Sequence, residues 1–530
     1  MKKILVKKIL CVFIFVAVLA GQASSYDITN PPVVKVESGY VMGFMNGSTF
    51  SFLGIPYAHA KRFEPPQKVP AWEGVKAAQT YGPICPVMKT DFVSIGGTNF
   101  IWPIHPYVQN ENCMNLNIWT QSLNEYANKP VIVFIHGGAY SYGSSNLEVS
   151  YEGRNLSEYG DIVFVSINHR LNILGFLDLS RFGEKYKDTA NIGMQDIAAS
   201  LKWIQKNIKH FGGDPSNVTI FGQSGGGGKV NNLMRMPSAE GLFHKAAALS
   251  SVKGLASKEL NDKIVKGTLK KLGLKDVSEL ETYDYYVMSN AAQAVCNELG
   301  TDWEPEADGK IIQESFCKWA DEIPFIGSTT FSEFNRSYNY IGPNKNTWTD
   351  EEAMKNLTKL YGDKAQAIAE EFRKVFPGRK LADAYFYDGA QPKEYISYYI
   401  SRSGVENILN EKAENAKAPV YEYLFDYEVP VAGGVLPFHC ADLMYILHNV
   451  DIPALSAATG GDEDAHRMQD TIADAFLAFM KTGNPSTEKL EWKPYTPTEK
   501  NIMIFSRESK CRILGDEKLY TLMDEAINKK

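Results

Sequence analysis

The sequence predicts an α/β fold, with a central, mostly parallel, twisted sheet flanked by helices. Several short runs are almost wholly apolar, which is typical of strands buried on both faces. Segments with apolar residues at helical spacing separate these runs, and this alternation indicates parallel strands joined by right-handed crossovers. The runs are Val131–Ile135, Ile162–Val165 and Val218–Phe221.

Helices are predicted between and after these strands. The clearest pattern is in Met194–Ile208, where Ile197, Leu201, Ile204 and Ile208 form one apolar stripe. A long stretch before the last predicted strand, Val420–Phe425, has the pattern of helical insertions. The further predicted helices are Glu351–Val375, Glu394–Glu411 and His466–Lys481.

The first strands have a different arrangement. Val33–Val36 and Tyr40–Phe44 flank Glu37-Ser38-Gly39, which predicts an N-terminal antiparallel hairpin, and Thr49–Leu53 predicts a further strand. No Pro/Gly-rich linker or internal repeat divides the later chain. Residues 24–530 are therefore interpreted as a single domain.

Residues 1–23 have the features of a secretory signal peptide. Four lysines precede an apolar run, Ile9–Ala20, and small residues follow at Gly21 and Ala23. The run is shorter than the roughly 20 residues needed to span a bilayer, so export is favoured over anchoring. The sequence predicts a secreted or periplasmic protein with no stable membrane insertion.

The charge balance excludes some partner classes. Formal net charge is −7 for the 530 residues, and it becomes −11 when the signal lysines are removed. An acidic surface argues against nucleic acid as a partner. The six remaining cysteines permit disulfides in an exported chain, but none forms a C-x-x-C pair, so no zinc site is predicted and the pairing stays open.

A candidate nucleophile follows the strand that ends at Phe221. Gly222-Gln223-Ser224-Gly225-Gly226 fits G-x-S-x-G, in which glycines allow a tight strand-to-helix turn that exposes the serine hydroxyl. Gly225–Gly228 and Lys229 also resemble part of a phosphate-binding loop. That loop needs Gly where Gln223 stands and Ser or Thr where Val230 stands, so nucleotide binding is rejected.

A second glycine element follows the strand Val131–Ile135. His136-Gly137-Gly138 can direct backbone N–H groups towards the serine. With the N–H of Gly225, those of Gly137 and Gly138 would form an oxyanion hole. A simple turn is the alternative for a Gly-Gly pair, but two glycine elements in this order favour a hydrolase.

The sequence resembles the type-B carboxylesterase family, relatives of the cholinesterases with the α/β-hydrolase fold. The resemblance covers nearly the whole chain after the signal segment, and it implies a serine esterase that needs no metal or organic cofactor. The matching segments are Phe52–Ala58, Glu111–Trp119, Asn168–Leu171, Gly175–Leu177, Phe211–Pro215 and Thr482–Pro485, with Trp492 and Tyr495.

A serine nucleophile needs a histidine base and a carboxylate that orients it. In this fold the order is Ser, acid, His. His439 fits because it lies in a loop after Val420–Phe425, and Phe438–Leu443 resembles the family's histidine motif. Among the other histidines after Ser224, His244 comes too early, and His448 and His466 fit helix surfaces.

The acid is assigned by resemblance to Glu333. The segment Pro324–Phe334 resembles the family's strand and acid-bearing loop, although Phe334 stands where Gly is frequent and the spacing is one residue longer. Glu322 is the rival, but it precedes the predicted strand and would lie at its wrong end.

The resemblance has further implications around the site. It implies a Cys85–Cys113 disulfide, and Cys296 with Cys317 is a second candidate pair, while Cys440 stays unassigned. Trp102 lies where cholinesterases stack choline, but it is interpreted as a packing residue because neutral Gln223 replaces the cholinesterase Glu.

The resulting prediction is a secreted carboxylesterase that hydrolyses small-molecule esters through Ser224, His439 and Glu333. Two alternatives remain open: a catalytically silent, cholinesterase-like binding protein, and a lipase, thioesterase or amidase with the same triad. The physiological ester and the oligomeric state are not predicted.

Overall fold

The computed structural model describes residues 30–87, 107–251, 254–333, 344–390 and 400–528. The predicted signal segment 1–23 and Trp102 lie outside these residues. The strands are β1 Val33–Val36, β2 Gly39–Met42, β3 Phe44–Asn46, β4 Thr49–Pro56, β5 Ala58–His59, β6 Gln67–Lys68, β7 Val75–Ala77, β8 Asn115–Thr120, β9 Lys129–Ile135, β10 Val163–Ile167, β11 Gly213–Gln223, β12 Lys245–Leu249, β13 Phe325–Thr330, β14 Val420–Phe425, β15 Asn501–Phe505 and β16 Lys510–Ile513.

Eleven of these strands form one sheet, in the order β16-β15-β14-β13-β12-β11-β9-β10-β8-β4-β3. Neighbouring strands from β10 to β15 are parallel, and the strands at both edges are antiparallel. The central strands β9, β10, β12, β13 and β14 are buried almost throughout, because helices cover both faces. This is the predicted α/β class.

Helices pack on this sheet through their apolar stripes. In the helix that begins at Ile192, Ile197, Leu201 and Ile204 are fully buried, as their spacing predicts. The helices are α1 Arg154–Gly160, α2 Asn172–Phe176, α3 Ile192–Asn207, α4 Gly225–Leu233, α5 Lys258–Leu272, α6 Tyr285–Leu299, α7 Asp350–Tyr361, α8 Ala365–Val375, α9 Arg402–Glu414, α10 Leu443–Ile446, α11 Pro453–Thr459, α12 Glu463–Thr482 and α13 Glu517–Asn528.

Two predicted helices differ from the observed ones. The stretch Glu351–Val375 is two helices, α7 and α8, because Gly362 has a φ of +58° and ends the first. The helix predicted over Glu394–Glu411 is observed as α9, which begins after Ser401, whose hydroxyl accepts a hydrogen bond from the Gly404 N–H. Residues 391–399 lie outside the described residues.

The predicted N-terminal hairpin is present, but it is separate from the central sheet. Strands β1 and β2 pair antiparallel from Val33 opposite Met42 to Val36 opposite Gly39. Strand β7 then adds in parallel to β2, so these three strands form their own sheet. Strand β4, in contrast, joins the central sheet beside β8.

The sheet brings distant segments to one edge. Ile135 of β9 pairs with Gly222 of β11, and Gly222 pairs with Ala248 of β12. Because parallel strands end at the same edge, the residues that follow β9, β11, β13 and β14 gather there. This edge is where a site in such a fold is expected.

The cysteines differ from the prediction. All six described cysteines are free, so the Cys85–Cys113 and Cys296–Cys317 disulfides are not formed. Cys85 and Cys113 are both buried, and their thiols are hydrogen-bonded neighbours. That hydrogen bond, together with burial, raises the pKa of the Cys113 thiol. A disulfide needs the sulfur atoms at about 2.05 Å, closer than a hydrogen-bonded pair of thiols.

Within the described ranges, no helix combines the length and the apolar character needed to cross a membrane.

Candidate active site

Ser224 lies in the turn between β11 and α4. Its φ of 59° and ψ of −128° are unusual for a residue with a side chain. The Ser224 N–H donates to the Leu249 carbonyl at 2.8 Å, and the Ser224 carbonyl accepts from the Gly228 N–H at 3.0 Å. These hydrogen bonds hold the strained backbone in place, and the residue is partly exposed at the sheet edge.

The glycines of this turn are required by close backbone contacts. A Cβ on Gly226 would lie 2.0 Å from the Ile135 carbonyl oxygen, and a Cβ on Gly222 would lie 2.4 Å from the Gly226 carbonyl carbon. Neither contact is tolerable, so only glycine permits this approach of α4 to the ends of β9 and β11. The sequence motif is explained by these sterics.

The loop after β9 lies directly against the serine. A Cβ on Gly137 would be 3.3 Å from the Ser224 Cβ, and a Cβ on Gly225 would be 2.5 Å from the Ala139 nitrogen. Gly138 has a φ of 87° and Ala139 a φ of 50°, so the loop is sharply turned. Within the described residues, the N–H groups of Gly137, Gly138 and Gly225 have no hydrogen-bond acceptor.

His439 and Glu333 are joined by a short hydrogen bond. The distance from His439 Nδ1 to Glu333 Oε2 is 2.6 Å, and both residues are almost completely buried. The Glu333 Oε1 atom accepts the Thr330 N–H at 2.8 Å, and the Glu333 carbonyl accepts the His439 N–H at 3.0 Å. The carboxylate is thus fixed on both sides, and the imidazole is oriented with Nδ1 towards it.

The rival residues lie elsewhere. Glu322 precedes β13 and forms an ion pair with Lys417 at 2.6 Å, in which both side chains are more than half exposed. The His244 Nδ1 atom accepts the Val218 N–H at 3.1 Å. His448 and His466 hydrogen-bond exposed aspartates on the protein surface.

Gln223 contacts the same histidine, which the sequence did not predict. Its Nε2 atom lies 3.2 Å from Nε2 and 3.3 Å from Nδ1 of His439. An atom on the lone-pair axis of Nε2 would be much farther from Nδ1, so the amide does not block that lone pair. The Gln223 Oε1 atom accepts the Cys440 S–H at 2.9 Å, and Cys440 has a φ of 73°.

Asp442 is a second buried carboxyl group near this histidine. Its Oδ2 atom accepts the Tyr423 hydroxyl at 2.6 Å. Burial and the nearby Glu333 together raise the pKa of Asp442 to about 6, against the lowering effect of the hydrogen bond from Tyr423. The three-residue spacing from His439 was visible in the sequence, but the partner Tyr423 was not.

Lys229 was considered in the sequence only as part of a false phosphate loop. It is fully buried in α4, and its Nζ atom donates to the His136 carbonyl at 3.1 Å. A charged residue in an otherwise small and apolar turn was the signal that it has a specific partner. Within the described part of the chain, no group of three or more His, Cys, Asp or Glu residues could hold a metal ion.

Known proteins resemble this chain over nearly its full length. The Carboxylesterase family profile matches residues 30–522. A para-nitrobenzyl esterase of Bacillus subtilis (strain 168) is 31% identical over 498 residues, which cover 90% of this chain and 95% of that protein. A phenmedipham hydrolase of Pseudarthrobacter oxydans is 27% identical, with 90% of this chain and 95% of that protein covered.

A solved structure gives the same result. An esterase from anaerobic Clostridium hathewayi that can hydrolyse aliphatic aromatic polyesters superposes with a TM-score of 0.85 at 36% identity, covering 95% of this chain and 99% of that one. The chain belongs to the carboxylesterase family, has the α/β-hydrolase fold and is a carboxylic ester hydrolase.

Proposed function

We propose that this protein hydrolyses carboxylic esters through a covalent acyl-enzyme on Ser224. His439 is the general base and acid, and Glu333 orients it. The observation that carries the proposal is the 2.6 Å hydrogen bond between His439 Nδ1 and Glu333 Oε2. This pair follows β13 and β14, at the same edge of the sheet as the strained Ser224. With Nδ1–H donated to the carboxylate, Nε2 keeps a lone pair for the serine proton.

The proposed reaction has two steps. In the first, His439 Nε2 takes the Ser224 proton as the serine oxygen bonds to the ester carbonyl carbon. The carbonyl electron pair moves to oxygen, and the N–H groups of Gly137, Gly138 and Gly225 bind the oxyanion. The ester C–O bond then breaks, and His439 protonates the leaving alcohol.

In the second step, water replaces the alcohol. His439 takes a proton from the water as its oxygen attacks the acyl carbon, and the same N–H groups bind the second oxyanion. Collapse breaks the bond to the Ser224 oxygen, which recovers its proton from the imidazolium. The products are a carboxylic acid and the free enzyme.

The substrate range is proposed from the relatives. An enzyme similar to this chain can hydrolyse aliphatic aromatic polyesters, and others are named for nitrobenzyl esters and phenmedipham. Aromatic esters are therefore the substrates to try first. Thioester, amide and long-chain glyceride substrates test the alternative activities of the same triad.

The first test compares wild type with Ser224→Ala on p-nitrophenyl esters of short and long acids. We expect the variant to lose roughly 10⁴-fold or more in kcat while remaining folded, because no nucleophile is left. Ser250→Ala is the matched control: this serine directly follows the neighbouring strand β12, has a φ of 45° and is buried. Folded wild type without turnover or fluorophosphonate labelling would support the silent binding protein instead.

Export is the second part of the proposal. Residues 1–23 would be removed on secretion, and cleavage is expected after Ala23. Mass spectrometry of the protein purified from the medium or periplasm of its host measures the new N-terminus. An intact Met1 in exported protein would contradict this cleavage.

A further inference from the structure

Arg379 lies between the helical insertion that contains α7 and α8 and the loops that carry the proposed triad. It follows α8, and its guanidinium forms an ion pair with Asp383 at 2.8 Å. A second ion pair joins it to Asp426, the first residue after β14. All three side chains are largely buried. The arginine therefore connects the insertion to the histidine loop, which leads from β14 to His439.

The same guanidinium contacts the acid segment, Phe331–Glu333. Its central carbon lies 4.1 Å from the centre of the Phe331 ring, which is within the range of a cation–π contact. Phe331 is fully buried and directly follows β13, two residues before Glu333. The other side of the contact is thus the segment that presents the carboxylate to the histidine.

Both contacts of Arg379 converge on one backbone connection. The Phe331 N–H donates to the Phe425 carbonyl at 3.0 Å, and Phe425 is the residue before Asp426. The carbonyl two residues further along the acid segment accepts the His439 N–H at 3.0 Å. The acid segment and the histidine loop are therefore joined at these two points. Arg379 contacts the side chain of Phe331 on one strand of the first connection and that of Asp426 beside the other.

Charge keeps the arginine in this place. Burial alone would lower the pKa of Arg379, but Asp426 and Asp383 raise it above its ordinary value. Burial raises the pKa of Asp426 to about 6, against the lowering effect of Arg379. Two carboxylates thus hold one guanidinium, whose planar, branched shape suits both of them and the face of a ring.

The insertion is attached to the histidine loop at a second place. Asn346 Nδ2 donates to the Gly433 carbonyl at 2.8 Å and to Glu428 Oε1 at 2.9 Å. Lys345 also forms an ion pair with Glu428 at 3.0 Å. The insertion therefore stays bound to this loop when Arg379 is replaced, and we expect variants of Arg379 to fold.

We infer that Arg379 is a positioning residue: it holds the acid segment against the histidine loop and so keeps Glu333 aligned with His439. This inference rests on the proposed role of that pair in acyl transfer to Ser224. Arg379 does not touch the ester in this role, so its effect falls on kcat and not on ester binding. A misplacement of about 1 Å in a catalytic group can reduce a rate about 100-fold.

The kinetic test is Arg379→Met, which keeps an unbranched side chain over Phe331 and removes the charge. We expect kcat for a p-nitrophenyl ester to fall about 10- to 100-fold, with KM within about threefold. Arg373→Met is the matched control, because Arg373 lies in α8 of the same insertion and forms an exposed ion pair with Asp350 at 2.7 Å. This control should keep the wild-type kcat.

A double variant separates positioning from the neutralisation of a buried charge. Arg379→Met with Asp426→Asn leaves no unpaired carboxylate after β14, so it should be more stable than Arg379→Met alone. We expect its kcat to stay at least about tenfold below that of wild type, because the link to Phe331 is still missing. A return to the wild-type kcat would mean that the arginine only neutralises Asp426, and it would overturn the inference.

A spectroscopic test observes the hydrogen bond between His439 and Glu333 directly. The bond is short and buried, so we expect its Nδ1–H proton far downfield in the ¹H spectrum, where Glu333→Gln assigns it. Arg379→Met should move or broaden this signal, and Arg373→Met should leave it unchanged. A reduced kcat with an unchanged signal would place the effect of Arg379 elsewhere and would also overturn the inference.

The outcomes separate the inference from the function on which it rests. Full activity of Ser224→Ala would overturn the acyl-transfer mechanism itself. An inactive Ser224→Ala together with a folded Arg379→Met of wild-type kcat would overturn only the role of Arg379. If Arg379→Met does not fold, Arg379→Lys decides, since an ammonium group keeps the charge but cannot stack flat on the ring while binding both carboxylates. A reduced kcat with a moved signal then supports the inference, and a wild-type kcat overturns it.

Discussion

The two halves of the candidate active site are held by different forces. The turn at Ser224 consists of consecutive residues, Gly222–Gly226, whose conformation is dictated by backbone contacts as short as 2.0 Å for an added Cβ. The pair His439 and Glu333 is separated by 106 residues and is joined by one buried hydrogen bond. The first is set by steric contacts, one within the turn and one with Ile135 of the neighbouring strand β9, and the second depends on the packing of β13 beside β14.

The difference predicts how each half fails. A change in the turn must displace the chain around it, because a side chain there meets backbone atoms. A change in the buried pair can leave the fold intact, because a substitution of similar shape alters only the charge or the hydrogen bonding of the side chain. The first should therefore reduce stability and activity together, and the second should reduce activity alone.

The largest expected effect is that of Glu333→Gln. The side-chain amide has almost the shape of the carboxylate but no charge to stabilise the imidazolium, and it favours the wrong histidine tautomer. We expect kcat to fall by roughly 10³- to 10⁴-fold with a nearly unchanged melting temperature. Kinetics with a p-nitrophenyl ester measure this. Glu322→Gln changes an exposed ion pair and should keep the wild-type kcat; an equal loss in both variants would contradict the assignment.

Gly226→Ala tests the other half. Its Cβ would lie 2.0 Å from the Ile135 carbonyl oxygen, so the end of β9 and the loop with Gly137 must shift. We expect a loss of about 100-fold in kcat and about 2 kcal/mol in the free energy of unfolding. Gly241→Ala has open space and a φ of 74°, so we expect about 1 kcal/mol of destabilisation and normal kcat. A Gly226→Ala protein with the same free energy of unfolding as wild type would refute the steric account.

Asp442→Asn tests a pH-dependent contribution to stability beside the buried pair. The pKa of Asp442 is raised to about 6, so between its unfolded value and pH 6 the folded state binds more protons than the unfolded state. Its contribution to stability is therefore present at low pH and is lost as the pH rises through 6.

Asparagine cannot ionise and should remove this loss. Relative to wild type, we expect Asp442→Asn to gain about 2 kcal/mol in the free energy of unfolding between about pH 4 and pH 7. Urea unfolding at both pH values measures the gain. A constant difference between the two proteins would mean that Asp442 is not protonated in the fold.

The smallest expected effect is that of Cys440→Ala. It removes the S–H donor to Gln223 but leaves the hydrogen bond between His439 and Glu333. We expect about 1 kcal/mol of destabilisation and a kcat within about threefold of wild type. Thermal unfolding and ester kinetics measure both, with the half-exposed Cys511→Ala as control. A loss as large as that of Glu333→Gln would mean that Gln223 and Cys440 orient the histidine.

The same contrast explains what could be predicted from the sequence. Consecutive residues in the sequence reveal the buried strands, the glycine turn and the loop after β9. Apolar periodicity and glycine motifs can be recognised over such short stretches of chain. The α/β class was predicted from them. The division of Glu351–Val375 at Gly362, and the separation of the hairpin from the central sheet, were not predicted, because one positive φ and the distant strand β7 decide them.

The sequence by itself determined the fold class and located the serine turn with its flanking glycines, because the buried-strand pattern and the G-x-S-x-G motif are both visible in consecutive residues. Only the tertiary structure decided which carboxylate meets His439, that Gln223 lies against the same ring, that the Cys85 and Cys113 thiols form a hydrogen bond and no disulfide, and that Lys229 binds the His136 carbonyl. The physical reason is that each of these contacts joins groups that are far apart in the chain. Their distances depend on how the whole sheet is assembled.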